Sequence, residues 1–140
     1  MSNQQKYDSQ DAPEAVGAYP HARRVGDLIF LSGVGPRQKG TSDIPGVTFD
    51  ASGQVTHHDI RRQTQAVIDN VRMICEASGT KLENVVDVQV FLTDMKNHFQ
   101  GFNEVYNATF ASIGPTRTTI EVGSLPTPIA VEFKVIATAG

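Results

Sequence analysis

The segment PTRTTIEVGSLPTPIAVEFKVIA, Pro115 to Ala137, sets Arg117, Glu121, Glu132 and Lys134 among residues that otherwise build β-strands. An arginine and a glutamate brought together suit a definite chemistry. A guanidinium is a planar donor fork that matches a carboxylate bidentately, and a glutamate within hydrogen-bond reach of a water acts on it as a general base. The pair therefore suits addition of water beside a carboxylate. The bland alternative is a solvated face with cross-strand ion pairs, each worth about 0.2–1 kcal/mol. Thr119, Phe91, Ile136 and the valines around them make that face too apolar for water alone, which favours an interface containing a site.

Other reactive types carry less. His57 and His58 are adjacent at an expected helix start, where side chains diverge by about 100°, and no Cys or carboxylate spacing completes a metal set. Cys75 lies on the apolar side of the same helix and reads as a small core residue. His21 and His98 read as surface residues. Arg23 and Arg24 lie in a strand near Tyr19, either solvated or with one of them facing a cleft. Asn103 flanks an aromatic stripe.

These side chains need strands and helices to hold them. Ala22 to Val25, a turn at Gly26-Asp27, and Leu28 to Ser32 read as a hairpin that follows a polar leader of about a dozen residues. Residues 36 to 55 are rich in Gly, Ser and Asp and read as an ordered loop with one short strand at most. Thr56 and Asp59 resemble a capping box, followed by Ile60, Thr64, Val67, Ile68, Val71, Ile74 and Cys75 at helical spacing, with Gly79 as the stop. Val86, Val88, Val90 and Leu92 alternate with Asp87, Gln89 and Phe91 in a strand. Phe99, Phe102, Tyr106 and Phe110 stripe a second helix, from Asp94 or Met95 to Phe110. The order is β-β-(loop)-α-β-α-β-β, an α+β mixed sheet with two helices packed on one face.

For the last two strands, pairing as a hairpin across GSLPTP is the expectation. The register that keeps charges away from apolar partners puts Arg117, Thr119, Glu132 and Lys134 on one face, leaving Ile120, Val122, Val131, Phe133 and Val135 to cover the helices.

The chain of 140 residues, 39% of them hydrophobic, suits one domain spanning 1–140. Its formal charge of −3 includes no basic run, which argues against nucleic acid and anionic membranes as partners. One cysteine excludes an intrachain disulfide, and neither an export signal nor an apolar run of membrane-spanning length is read, so a cytoplasmic location is expected.

VGAYPHARRVGDLIFLSG, the helix ending in ASG, VVDVQVFLTDM, FNEVYNATF and PTRTTIEVGSLPTPIAVEFKVIA together resemble the reactive-intermediate deaminase family, also called the YjgF/YER057c/UK114 family, over nearly the whole chain. The last segment is the most specific, keeping a Pro-x-Arg strand, a Leu-Pro turn and a Val-Glu strand in order. The resemblance implies a homotrimer of chorismate-mutase-like subunits, with a central barrel and ligand clefts between neighbours. It implies that Arg117 grips a substrate carboxylate, that Glu132 positions or activates water, and that Tyr19, Ser32, Gly33 and Asn103 line the same cleft.

Thr119, also assigned to the cleft, stands where many members have cysteine. Ser124, Lys134 and the longer loop from Pro36 to Val55 are further departures, and the loop marks a subfamily with its own substrate. The implied reaction is hydrolysis of an enamine or imine of a 2-amino unsaturated acid to the 2-oxo acid and ammonia, with no metal or other cofactor. Within the family the whole-chain resemblance is greatest to members that convert 2-aminomuconate to 4-oxalocrotonate in aromatic-compound degradation. A dicarboxylate wants two cationic contacts, Arg117 with Lys134, Arg23, Arg24 or a residue of the 36–55 loop. The alternatives are a general 2-imino acid deaminase and a regulatory trimer that binds 2-oxo acids without turnover. A nuclease role ranks last.

Overall fold

The computed structural model describes residues 4–140, so the first three residues of the polar leader lie outside the described residues. The rest of the leader is not featureless. β1 (Gln4–Tyr7) pairs antiparallel with β2 (Ala22–Val25), which turns through Gly26, at a φ of 61°, into β3 (Leu28–Leu31). A positive φ of this kind is where glycine is favoured.

The 36–55 loop is more regular than its composition suggests. β4 (Val47–Phe49) and β5 (Val55–His58) form a separate antiparallel hairpin whose turn is tied by Asp50, which accepts from the Ser52 and Gln54 amides. This hairpin corrects the capping reading. Thr56, His57 and His58 belong to β5, and Asp59 alone caps α1 (Ile60–Ala77), accepting from the Arg61 and Arg62 amides. A Ser/Thr-x-x-acid pattern needs its first residue at the cap, and here its last residue occupies that place.

A short 3-10 turn (Leu82–Asn84) leads into β6 (Val85–Leu92), then α2 (Met95–Phe110), β7 (Thr116–Glu121) and β8 (Val131–Thr138). The sheet runs β1-β2-β3-β8-β6-β7, with β6 and β7 parallel and the other neighbours antiparallel. Both helices lie on one face, over a core that includes Phe102, Phe110, Phe133, Leu31, Ile68 and Leu92. At about 25 cal/mol per Å², such side chains supply the main driving force for the layer.

The expected β7–β8 hairpin is not formed. β6, α2 and β7 make a crossover unit, which pairs its strands parallel, and the segment after β7 carries the chain past β6 to its other side. The facing of β7 is reversed as a result, whereas β8 faces as expected. Val88 is aligned with both Arg117 and Val135, and Val90 with Thr119 and Phe133, so Arg117 and Thr119 lie on the helix-covered face. Phe91 is aligned with Ile120 and Glu132, and Gln89 with Lys134, so Glu132 and Lys134 lie on the open face. Ile120, expected to cover the helices, is 45% exposed there. Val86 likewise turns outward, because the pairing shifts between Val85 and Asp87 and gives the buried place to Val85. Phe99 sits at the exposed margin of the α2 stripe.

Candidate functional site

Arg117 is held by the aromatic stripe of α2. Its guanidinium carbon lies 4.7 Å from the Tyr106 ring centroid, 5.3 Å from Phe102 and 5.9 Å from Phe99. Its Nη1 donates to Asn103 Oδ1 at 2.8 Å. Ring faces and an amide oxygen together fix the orientation of a charge that keeps most of its five N–H donors for other partners. Burial raises the Tyr106 hydroxyl pKa, with Arg117 opposing. Thr119 follows on the same face of β7. Glu121, the third residue of that row, accepts from the Met95 amide at 2.9 Å and so supports the first turn of α2.

Glu132 is positioned from the opposite face. Val34 and Phe133 exchange both backbone hydrogen bonds, at 2.8 and 2.9 Å, which brings Gly33 against the Glu132 carboxylate. A Cβ on Gly33 would lie 2.9 Å from Glu132 Oε2 and 3.0 Å from its Cδ, so the close approach needs glycine. Burial raises the Glu132 pKa above its ordinary value, and the positive charge of Arg37 partly offsets this. Tyr19, Gly33, Arg37 and Glu132 line a recess of about 150 Å³. An adjoining smaller recess shares Tyr19, Gly33 and Arg37 and adds Ser32 and His21. The Ser32 hydroxyl donates to the Pro20 carbonyl at 2.7 Å.

The expected site residues therefore fall into two groups. Arg117, Asn103 and Thr119 stand on the helix side of the sheet, whereas Glu132, Gly33, Ser32 and Tyr19 gather at the open side and its rim. The alternation that groups Arg117 with Glu132 holds only if the two strands are neighbours, and β6 lies between them. Within one chain the cation and the acid face away from each other.

The remaining candidates sort clearly. Lys134 is on the Glu132 face, where its ammonium donates to the Leu31 carbonyl and burial lowers its pKa. Arg23 donates to Gln4, and Arg24 to the Gly26 carbonyl beside Asp27; neither lines the recesses. His21 is buried, contrary to a surface reading: its Nδ1 accepts from the Ser9 amide at 2.8 Å, and its Nε2 lies 2.7 Å from the Pro13 carbonyl. His98 is half-buried, with its ring edge-on to His58 at 6.2 Å between centroids. Cys75 is buried and its thiol is pushed up to about 12, which leaves it almost no thiolate at neutral pH.

Arg37, which lines the Glu132 recess, and Asn70, which holds the backbone beneath it, are not singled out by sequence reasoning. Arg37 sits in a loop with no periodicity to orient it. Asn70 lies on the buried side of α1 and donates to the Gly35 and Arg37 carbonyls at 2.9 and 2.7 Å. A polar residue within an apolar helical stripe is the signal that could have singled out Asn70, since a buried amide needs partners.

A direct consequence concerns Gly33. Gly33→Ala forces the Glu132 carboxylate to swing aside, so any water chemistry that depends on it is expected to fall on the order of 10–100-fold. The fold is expected to persist, because the displaced atoms end a flexible side chain. Steady-state rates beside thermal melting check this, and an unchanged rate would show that the contact does not matter.

Residues 9–139 match the protein-family model described as Endoribonuclease L-PSP. The chain is 36% identical over 129 residues to a RutC family protein of Saccharolobus solfataricus, covering 92% of this chain and 93% of the relative. It is 38% identical over 128 residues to protein HMF1 of Saccharomyces cerevisiae, covering 91% and 89%. Among solved structures it is similar to E. coli TdcF with bound serine, at 30% identity, a TM-score of 0.81 and coverage of 96% and 98%.

Proposed function

The chain belongs to the Endoribonuclease L-PSP family, and from that premise we propose that it is a deaminase of 2-imino or 2-enamino carboxylic acids, working in a cleft between two chains of a homotrimer. The observation that carries the reading is the placement of Arg117 and Glu132 on opposite faces of one sheet. A substrate that needs both takes Arg117 from one chain and Glu132 from its neighbour. The open face supports the assembly. Leu28 and Ile120 are exposed there and Phe91 and Ile136 half-buried, an apolar surface that a second sheet would cover. Serine bound to E. coli TdcF supports a small carboxylate as the ligand class.

In this cleft Arg117 grips the carboxylate next to the reacting carbon, its orientation set by Asn103 and the rings. An enamine first gains a proton on carbon and loses one from nitrogen, becoming the imine. Glu132 then removes a proton from water as the oxygen attacks the C=N carbon, and the nitrogen takes up a proton to give the carbinolamine. As that intermediate collapses, Glu132 relays the hydroxyl proton to the leaving nitrogen, the C=O bond forms, C–N breaks and ammonia departs. Glu132 is suited to both transfers, since burial moves its pKa toward neutrality. The finer reading is 2-aminomuconate as substrate and 4-oxalocrotonate as product.

Ammonia release is the test, with 2-iminopropionate and 2-aminomuconate generated in situ. Turnover of both, faster with 2-aminomuconate, is expected. Turnover of the small imine alone would leave a general 2-imino acid deaminase. No ammonia above the spontaneous rate from either would overturn the deaminase and favour a 2-oxo acid binder.

A further inference from the structure

We propose that Arg37 forms a second carboxylate subsite, which makes the Glu132 side of the cleft selective for dicarboxylic acids. The inference rests on the deaminase reading for the place of the first carboxylate, at Arg117. Arg37 lines both adjoining recesses, the one with Glu132 and the one with Ser32. It is half-buried, and its guanidinium makes one hydrogen bond, from Nη2 to the Glu14 carbonyl at 2.9 Å. Four of its five N–H donors therefore remain for a ligand. The ion pairs among the described residues do not include Arg37; its charge acts on Glu132 across the shared recess without a direct pair, which leaves its donors open.

The backbone beneath Arg37 is fixed. Asn70 is 3% exposed and spends both donor hydrogens of its amide on the Gly35 and Arg37 carbonyls. A cation held this way loses less entropy on binding than one on a free loop. The rival cations are occupied elsewhere: Lys134 on the Leu31 carbonyl, Arg23 on Gln4 and Arg24 on the Gly26 carbonyl.

The electrostatics then discriminate between acids. A monocarboxylate satisfies Arg117 but fills the recess without pairing Arg37, leaving a desolvated guanidinium beside an apolar group. A dicarboxylate long enough to reach from Arg117 past Glu132 places its far carboxylate on the free donors of Arg37, in the bidentate geometry that arginine favours. Arg37 thus reads the end of the substrate remote from the reaction.

The test uses binding first, because binding needs no turnover. Calorimetry with 2-oxoadipate and 2-oxobutanoate is expected to give a dicarboxylate preference on the order of 10–100-fold in the unaltered protein. Arg37→Ala should remove the preference and Arg37→Lys restore part of it, since lysine keeps the charge without the fork. Melting curves confirm that both variants fold. A preference that survives Arg37→Ala, or no binding of either acid, overturns the subsite.

Ammonia release from 2-iminopropionate and 2-aminomuconate, measured on the same preparations, judges the reaction separately. Ammonia release whose substrate preference ignores Arg37 overturns the subsite and leaves the deaminase standing. Arg37-dependent binding without ammonia overturns the deaminase and leaves the subsite standing.

Discussion

Arg117→Ala and Glu132→Gln chains, each nearly inactive alone, are expected to regain about a quarter of the full turnover when mixed in equal amounts, unfolded and refolded together. The figure follows from the sheet. Arg117 and Glu132 project from opposite faces, so no cleft takes both from one chain. In a ring of randomly mixed chains, a cleft is intact when the chain that supplies its arginine carries the glutamine and the chain that supplies its glutamate carries the alanine. Each condition holds half the time. Ammonia release from the mixture reads the outcome, with the two variants refolded separately as controls. A mixture no more active than the separate variants would place both groups in one chain's site and overturn the shared cleft. Co-expression with two different purification tags gives the same comparison without refolding.

What the sequence made legible follows the range over which its signals act. The α1 and α2 stripes and the β2–β3 turn depend on neighbours within a few residues, and they appear where expected, except that α1 begins about a turn late because β5 takes Thr56 to His58. The faces of β7 and β8 depend on which strands adjoin, a long-range fact. Alternation along each strand is right, whereas the joining of the two faces is wrong, because β6 lies between them. Arg117 and Glu132 were thus readable as chemically apt residues, and their separation was not. Charges in the opening segment also serve ends that composition hides: Glu121 braces α2, and Lys134 reaches a backbone carbonyl. The loop at 36–55 misled for a related reason. Its hairpin is secured by Asp50 and by Gln63, whose side chain meets the Gly46 carbonyl, His58 and the Ala130 amide. Partners so far apart leave no periodic mark.

Glu132→Gln is expected to lower kcat on the order of 100- to 10,000-fold while leaving carboxylate binding nearly unchanged, because it removes the base and keeps the shape. The pH dependence distinguishes a base from a mere liner. Burial raises the Glu132 pKa above 4.5, so the rate of the unaltered protein should fall on the acid side within a limb displaced upward from the ordinary glutamate range. The residual rate of the variant should lack that limb. Stability moves in the opposite sense. A carboxyl whose folded pKa is raised binds its proton more tightly in the native state, so its contribution is fully present below 4.5 and is lost as pH rises through the folded value. Glu132→Gln, which carries no charge to bury, is therefore expected to melt on the order of 2 °C higher than the unaltered protein at pH 7, with the gap closing below pH 4.5. Equal melting temperatures across that range would show that Glu132 is not held at an energetic cost. A slow variant that retained the acid limb would assign the proton transfer to another group.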